Sequence, residues 1–371
     1  MDFNFTEEQL ALKDTLRRFV RKEYSFEHRR QAMASRHGFD RDAWNTFAEL
    51  GLLGLPLQES LGGLGGTAVD SMVVMEILGE ALSLEPFLSS SLLCGSVLNA
   101  VPVTATLQEL AAQMMTGRHI MALAHYEPGS RYDLAQVSTT ATATAGDWVI
   151  SGSKSVVLGA PNADTVIVSA RTPGGVSLFL VDSRAPGLAM RPYATQDGLR
   201  AADLILERVT VPRQSLLAPE GDGLKLVEQA LDTATAALCA EAVGIMDRLN
   251  QTTVEYLKTR KQFGTMIGKF QALQHRMAEM VVATEQARSM AIMAAIKVSS
   301  TERAERAAAI SAAKAYVGNQ ARFVGQQAVQ LHGGIGVTDE LDVAHYFKRL
   351  TMIGHTFGDY DHHIARFAEA L

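Results

Sequence analysis

The sequence predicts an α+β, multi-domain protein in which helices, strands and helices follow one another in separate blocks. Three observations carry this. The chain has 371 residues, too long for one typical core. Short β-rich runs gather in the middle of the chain. Two long alanine-rich stretches without internal proline, Ala230–Lys258 and Glu302–Gln330, follow them. Segregated blocks indicate α+β, whereas a parallel α/β sheet needs strands alternating with helices.

Residues 1–117 read as helices joined by glycine-rich turns. Thr6 and Gln9 have the spacing of a capping box, and Leu12, Leu16, Phe19 and Val20 mark one helical face. Met1–Gln9 is acidic and lacks an apolar core, so it is not expected to be a targeting signal. Leu50–Pro56 ends a helix. Gly62–Gly66 is a loop, and because no strand precedes it, it is not read as a phosphate cradle. The longest apolar region, Phe87–Val103, contains several serines, Asn99 and Pro102, so it reads as buried protein and not a membrane span.

Residues 118–218 read as a small β domain. Candidate strands are Ile120–Leu123, Val137–Thr144, Trp148–Ser151, Val166–Ser169, Val176–Val181 and Leu204–Val209, with turns at Ala145–Asp147 and Thr172–Gly175. Residues 219–371 return to helix. The alanine-rich stretches are apolar nearly all round, as helices buried in a bundle or an oligomer interface are.

The net charge of −6 and the lack of a basic run exclude nucleic acid as a partner. Cys94 and Cys239 lie far apart, which implies a reducing, cytoplasmic compartment and no disulfide framework. Neither has metal-ligand spacing.

Arg260-Lys-Gln-Phe-Gly264 precedes apolar positions at helical spacing: Ile267, Phe270, Leu273, Met277 and Met280. Gly264 suits a tight turn, and Arg260 offers a planar donor fork matched to phosphate. With Gln330-Leu-His-Gly-Gly-Ile-Gly336, this pattern resembles the acyl-CoA dehydrogenase family. Gly51–Pro56 with Gly62–Gly65, Glu127–Gly129, Gly152–Lys154, and Asp197–Arg200 through Pro212 stand in the family's order, so the resemblance spans essentially the whole chain. It implies an N-terminal helical domain (1–117), a middle β domain (118–218) and a C-terminal four-helix bundle (219–371). It also implies FAD between the β domain and the bundle, subunits sharing each flavin, an acyl-CoA substrate and an acceptor of the electron-transfer-flavoprotein type. By motif, the cofactor-binding residues are Arg260, Gln262, Phe263, Gln271, Gln274, Gln330, Gly333 and Gly334, with Tyr126 in the first β-domain loop.

The chain departs from the family where the flavin ring and the base belong. Tyr126 replaces a Thr before Glu-Pro, and Val156 and Leu158 replace a Trp and a flavin-facing Thr. Gly358 stands where most members have the Glu that removes the substrate α-proton. Ala234 stands where a minority have it. Two carboxylates are substitutes: Asp359, beside the lost position, and Glu241, on the first bundle helix. Their ordinary readings are a helix N-cap and a buried helix–helix contact. The run Asp359-Tyr-Asp361-His-His363 invites a metal reading, but adjacent histidines rarely share one ion, and no metal is expected. The resemblance is strongest to a heteromeric branch of the family, in which a second acyl-CoA dehydrogenase-like subunit completes a dimer of dimers. The expectation is therefore an FAD-dependent acyl-CoA dehydrogenase subunit. The alternatives are a catalytically silent structural subunit or an autonomous homo-oligomer using Asp359.

Overall fold

In the computed structural model, residues 5–370 are described; residues 1–4, within the acidic start read above, and Leu371 lie outside the described residues. The helices are α1 (Glu7–Glu23), α2 (Phe26–Ala34), α3 (Arg41–Glu49), α4 (Ala68–Ala81), α5 (Gly95–Asn99), α6 (Ala105–Met115), α7 (Gly223–Thr259), α8 (Gln271–Lys297), α9 (Arg303–His332), α10 (Asp342–His355) and α11 (Tyr360–Ala370). The strands are β1 (Met121–Ala124), β2 (Thr140–Ala143), β3 (Asp147–Leu158), β4 (Thr165–Thr172), β5 (Gly175–Asp182), β6 (Leu188–Ala194) and β7 (Arg200–Pro212), with a small hairpin of β8 (Lys261–Gln262) and β9 (Thr265–Met266). The chain divides into two compact units. One comprises Met1–Arg30, Ala68–Ser83 and Thr235–Leu371; the other comprises Gln31–Thr67 and Leu84–Ala234.

The first unit is helical. The Thr6 hydroxyl accepts from the Gln9 amide at 3.2 Å, and Gln9 Oε1 accepts from the Thr6 amide at 3.1 Å, the reciprocal bonds of a capping box. Alanines explain the tight bundle. Ala283, Ala287, Ala291 and Ala294 of α8 are buried, as are Ala313, Ala321 and Ala328 of α9, and these two helices pack together. Helices α4 and α7 approach backbone to backbone. A Cβ on Gly79 would sit 2.2 Å from the Glu241 carbonyl oxygen, and one on Gly244 would sit 1.8 Å from that of Glu76. Around this crossing runs a charged seam. Glu76 accepts from Lys13 at 3.3 Å and from Arg288 at 2.9 Å, and Arg288 also pairs with Asp247.

The second unit is built on a seven-stranded sheet in the order β1-β4-β2-β3-β7-β6, with β5 paired to β4. Antiparallel β3 and β7 form its long ribbon, with irregularities between Ile150 and Gly152 and between Lys154 and Val157. Trp148, Ile150, Val166, Val168, Phe179, Leu204 and Val209 fill the core. Trp148 meets Phe179 edge-on with centroids 5.3 Å apart. The expected strands are present, and β6 is an addition to them. It is a largely exposed edge strand containing Pro192, so it lacks both the alternation and the composition that mark a strand. Phe87–Cys94 forms a buried π-helical segment leading into α5. Two of its serines are bonded: Ser89 Oγ donates to the Pro86 carbonyl at 3.3 Å, and Ser90 Oγ accepts from the Met121 amide at 3.0 Å. Among the described residues no helix is long and apolar enough to cross a membrane.

Candidate functional site

The Arg260 motif begins one residue beyond the end of α7 and forms a hairpin. Lys261 pairs with Met266 and Gln262 with Thr265. The connecting Phe263 and Gly264 have φ of 54° and 77°, the two left-handed positions of a type I′ turn. This places an aromatic residue at a hairpin tip. Phe263 is 90% exposed and touches Phe270 edge-on at 6.2 Å. The Ile267 amide donates to the Arg260 carbonyl and closes the loop, and Gln274 Nε2 ties back to the Gly268 carbonyl at 2.9 Å.

The Gln330 motif closes α9. Gly333 breaks the helix at φ 68°, ψ −147°, and a Cβ on Gly333 or Gly334 would meet nothing within 4 Å. These glycines therefore leave open space beside the backbone, which permits close approach of a ligand.

Seventy residues separate the two motifs in sequence, and one open cleft of about 410 Å³ is lined by both. Arg260 and Gln262 contribute from the hairpin, Gln330 and Gly333 from the end of α9. Apolar walls come from Ile267, Ala272, Leu273 and Leu331. Of the other residues expected here, Phe263, Gln271, Gln274 and Gly334 flank these elements without lining the cleft, and Tyr126 belongs to the other compact unit. Three polar lining residues were not among those expected: Tyr256, Arg276 and His332. The Tyr256 ring stacks on His332 at 4.5 Å, and its hydroxyl donates to the His332 carbonyl at 3.3 Å. Tyr256 lies one turn before Arg260, and that spacing was the available signal. Burial lowers the His332 pKa, against the hydrogen bond of its ring to the Ala328 carbonyl.

Fork-shaped cations, amide side chains and unhindered glycine backbone form a donor set suited to a phosphate-bearing dinucleotide. The cleft fits the phosphate and adenosine portion of FAD in this chemical sense.

In the β unit, Tyr126 accepts a backbone bond from the Ser155 amide at 2.9 Å, and burial holds its hydroxyl above the usual phenol range. The adjacent Glu127 anchors the loop. Its carboxylate accepts from the Ser138 amide (2.6 Å), the Thr139 amide (3.0 Å) and the fully buried Lys154 ammonium (2.7 Å), which also donates to Ser169 Oγ at 2.8 Å. Burial pulls Lys154 down to about 8 against the pull of Glu127. Past this node Val156 adopts φ 52°, rare for a β-branched residue, and is half exposed with its amide bonded to Asp203 at 3.0 Å. Strain of this kind clusters at ligand sites.

The candidate bases are both engaged. Glu241 is buried, and its two oxygens take Arg349 Nε and Nη2 at 2.5 and 2.7 Å, a fork-to-fork pair. Asp359 Oδ1 accepts from the His362 amide at 3.0 Å, at the N-cap of α11. Gly358 has φ 129°, and a Cβ there would lie 2.5 Å from both His362 Cδ2 and His363 Nε2. Its carbonyl accepts from the buried Lys314 ammonium at 2.8 Å. Ala234 is fully buried. Among the described residues no group of three His, Cys, Asp or Glu side chains is arranged to hold a metal ion.

The sequence matches the acyl-CoA dehydrogenase N-terminal domain over residues 6–118, the middle domain over 122–209 and the C-terminal domain over 221–371. It is 31% identical to the bovine (Bos taurus) mitochondrial short-chain specific acyl-CoA dehydrogenase over 355 residues, covering 92% of this chain and 85% of that protein. It is similar to a chain in the structure described as the electron transferring flavoprotein of Acidaminococcus fermentans (28% identity, TM-score 0.92, coverage 100% and 99%). It is also similar to one in the ChsE4-ChsE5 complex from Mycobacterium tuberculosis (26%, TM-score 0.89, coverage 100% and 98%). With helical, β and helical domains matched in order along nearly the whole chain, and a phosphate-fitted cleft assembled from its two most specific motifs, this chain belongs to the acyl-CoA dehydrogenase family of FAD-dependent oxidoreductases.

Proposed function

We propose that this chain is one subunit of a heteromeric acyl-CoA dehydrogenase that introduces an α,β double bond into an acyl-CoA thioester. Within that class it reads as the small subunit of a pimeloyl-CoA dehydrogenase. The runs Leu238–Gly244, Tyr256–Gly264 and Phe357–His363 carry that finer assignment.

The single observation behind the dehydrogenase reading is the shared cleft of Arg260, Gln262, Gln330 and Gly333. When bound, FAD supplies the acceptor for the substrate's β-hydride. This chain's part is to hold the cofactor's phosphates with Arg260 and the two amide side chains. Tyr126 and the Glu127–Lys154 node shape the β-domain contribution. The α-proton needs a carboxylate. Gly358 has no side chain and no room for one, Ala234 carries only a methyl group, and Glu241 is held by Arg349. The proton acceptor in this reading belongs to a partner subunit. The ChsE4-ChsE5 complex is a precedent for two such chains together. Reoxidation falls to an electron-transferring flavoprotein-type acceptor, in keeping with the printed description of the Acidaminococcus fermentans structure.

The test is purification of the chain alone and after co-expression with a second acyl-CoA dehydrogenase-like chain identified by co-purification. The reading expects flavin bleaching by an acyl-CoA only in the co-expressed complex. A chain that is yellow and bleached alone is autonomous, with Asp359→Asn as the next variant. A complex that turns over unchanged when this chain lacks Arg260 and FAD reduces it to a structural subunit.

A further inference from the structure

Two arginines line the cleft of the Arg260 and Gln330 motifs, and among the described residues no carboxylate lines it, although the chain as a whole carries a net charge of −6. Several other arginines of the same unit are committed to carboxylates: Arg17 to Glu80, Arg288 to Glu76 and Asp247, Arg349 to Glu241. Arg260 and Arg276 differ. Neither has an ion-pair partner among the described residues, and Arg276 makes one long bond, Nη1 to Gln327 Oε1 at 3.4 Å. Arg276 lies in the second turn of α8, where a side chain leans back toward the helix N-terminus. That N-terminus carries no side-chain cap, and its first-turn residues Ala272 and Leu273 line the same cleft. The field there is thus positive from three sources: two forks and the helix end.

We infer that Arg276 is a second phosphate-binding guanidinium of this cleft, so that Arg260 and Arg276 together recognise a diphosphate through both of its phosphorus centres. The inference rests on the reading of the cleft as the seat of FAD's phosphates and deepens it. A monophosphate presents one centre and satisfies one planar fork; a diphosphate presents two and satisfies both. Arg276 therefore sets the preference for a dinucleotide over a mononucleotide.

The experiment uses the deflavinated assembly, titrated with FAD by flavin fluorescence, with ADP-ribose and AMP as competitors. These competitors share an adenosine monophosphate; ADP-ribose adds the second phosphate and the ribose attached to it. Arg276 is exposed, and among the described residues its side chain is hydrogen-bonded only to Gln327, so Arg276→Met should leave the thermal transition unchanged. The variant should bind FAD about tenfold more weakly, the lower end for losing one charge-assisted bond in an exposed cleft. The advantage of ADP-ribose over AMP should shrink by the same factor, AMP competition should change by less than about twofold, and Arg276→Lys should recover part of the loss. Unchanged FAD affinity and competitor ratio in Arg276→Met, alongside weakened FAD binding in Arg260→Met, overturns the role of Arg276 and leaves the cofactor reading standing. If Arg260→Met and Arg276→Met both bind FAD like the wild type, the cleft is not the phosphate seat, and both inferences fall.

Discussion

Replacing Glu241 with Gln separates two roles that a buried carboxylate on the first bundle helix can have. Its side chain is 7% exposed and that of Arg349 is 8%, with two short parallel bonds between them. Each carboxylate oxygen already accepts from the guanidinium, so the side chain is fixed in place by Arg349. As a strut, its loss removes the buried fork-to-fork charge partner of Arg349, a cost of about 3–5 kcal/mol. The reverse single change, Arg349→Met, should cost a similar amount. Replacing both with apolar residues of similar volume, Glu241→Leu with Arg349→Met, should cost far less than the sum, with a coupling of roughly 3 kcal/mol. Urea unfolding followed by far-UV circular dichroism, at one fixed protein concentration, measures all four corners of the cycle. The same proteins are then assayed in the complete enzyme complex. If Glu241→Gln keeps its urea midpoint while turnover falls by about 10²–10⁴, the range for loss of a general base, Glu241 is catalytic and the strut argument is wrong.

Three further outcomes are expected. Arg260→Ala should lose FAD on dialysis, with a charge-assisted phosphate bond worth about 1.5–3 kcal/mol removed; stoichiometric retention of FAD refutes the assignment. Gly358→Glu should destabilise the protein by at least about 1–3 kcal/mol and should not restore base activity, because its Cβ would meet His362 and His363 at 2.5 Å on a backbone at φ 129°; a stable, more active variant would show that this corner rearranges freely. For Lys314, burial lowers the pKa from 10.5 to about 8, so the unfolded chain binds more protons between those values. Its unfavourable contribution is full below about pH 8 and is relieved as pH rises toward 10.5. The stability of Lys314→Met relative to wild type should therefore fall across that window by up to about 1.4 kcal/mol per pH unit, and a flat or rising difference contradicts the sign.

What was legible in the sequence depended on how local its physical cause is. The capping box of Thr6 and Gln9, the strands from Val166 to Val181 and the long helices all arise from neighbouring residues, and patterns reveal them. Strand β6 escaped because an exposed edge with Pro192 has no burial to impose alternation. The Gly79–Gly244 crossing escaped because a glycine in a helix announces neither the carbonyl it will meet nor the helix that carries it. In the site, Arg260 and Gln330 were legible as motifs, yet their union in one cleft required the fold. Arg276 had no signal, since an exposed arginine on a helix looks like any solvated face. The question of the base shows the limit most clearly. That Gly358 and Ala234 lack carboxylates can be read letter by letter. That Glu241 cannot simply take over depends on Arg349, 108 residues away, and that Glu cannot simply be put back at 358 depends on two histidines and a left-handed backbone. The loss is therefore built into the corner between α10 and α11 and is more than one missing side chain. A chain shaped this way keeps a phosphate-fitted cleft while its geometry leaves no room for a carboxylate at position 358, where the resemblance would put the base. That combination suits a subunit whose chemistry is completed by another chain.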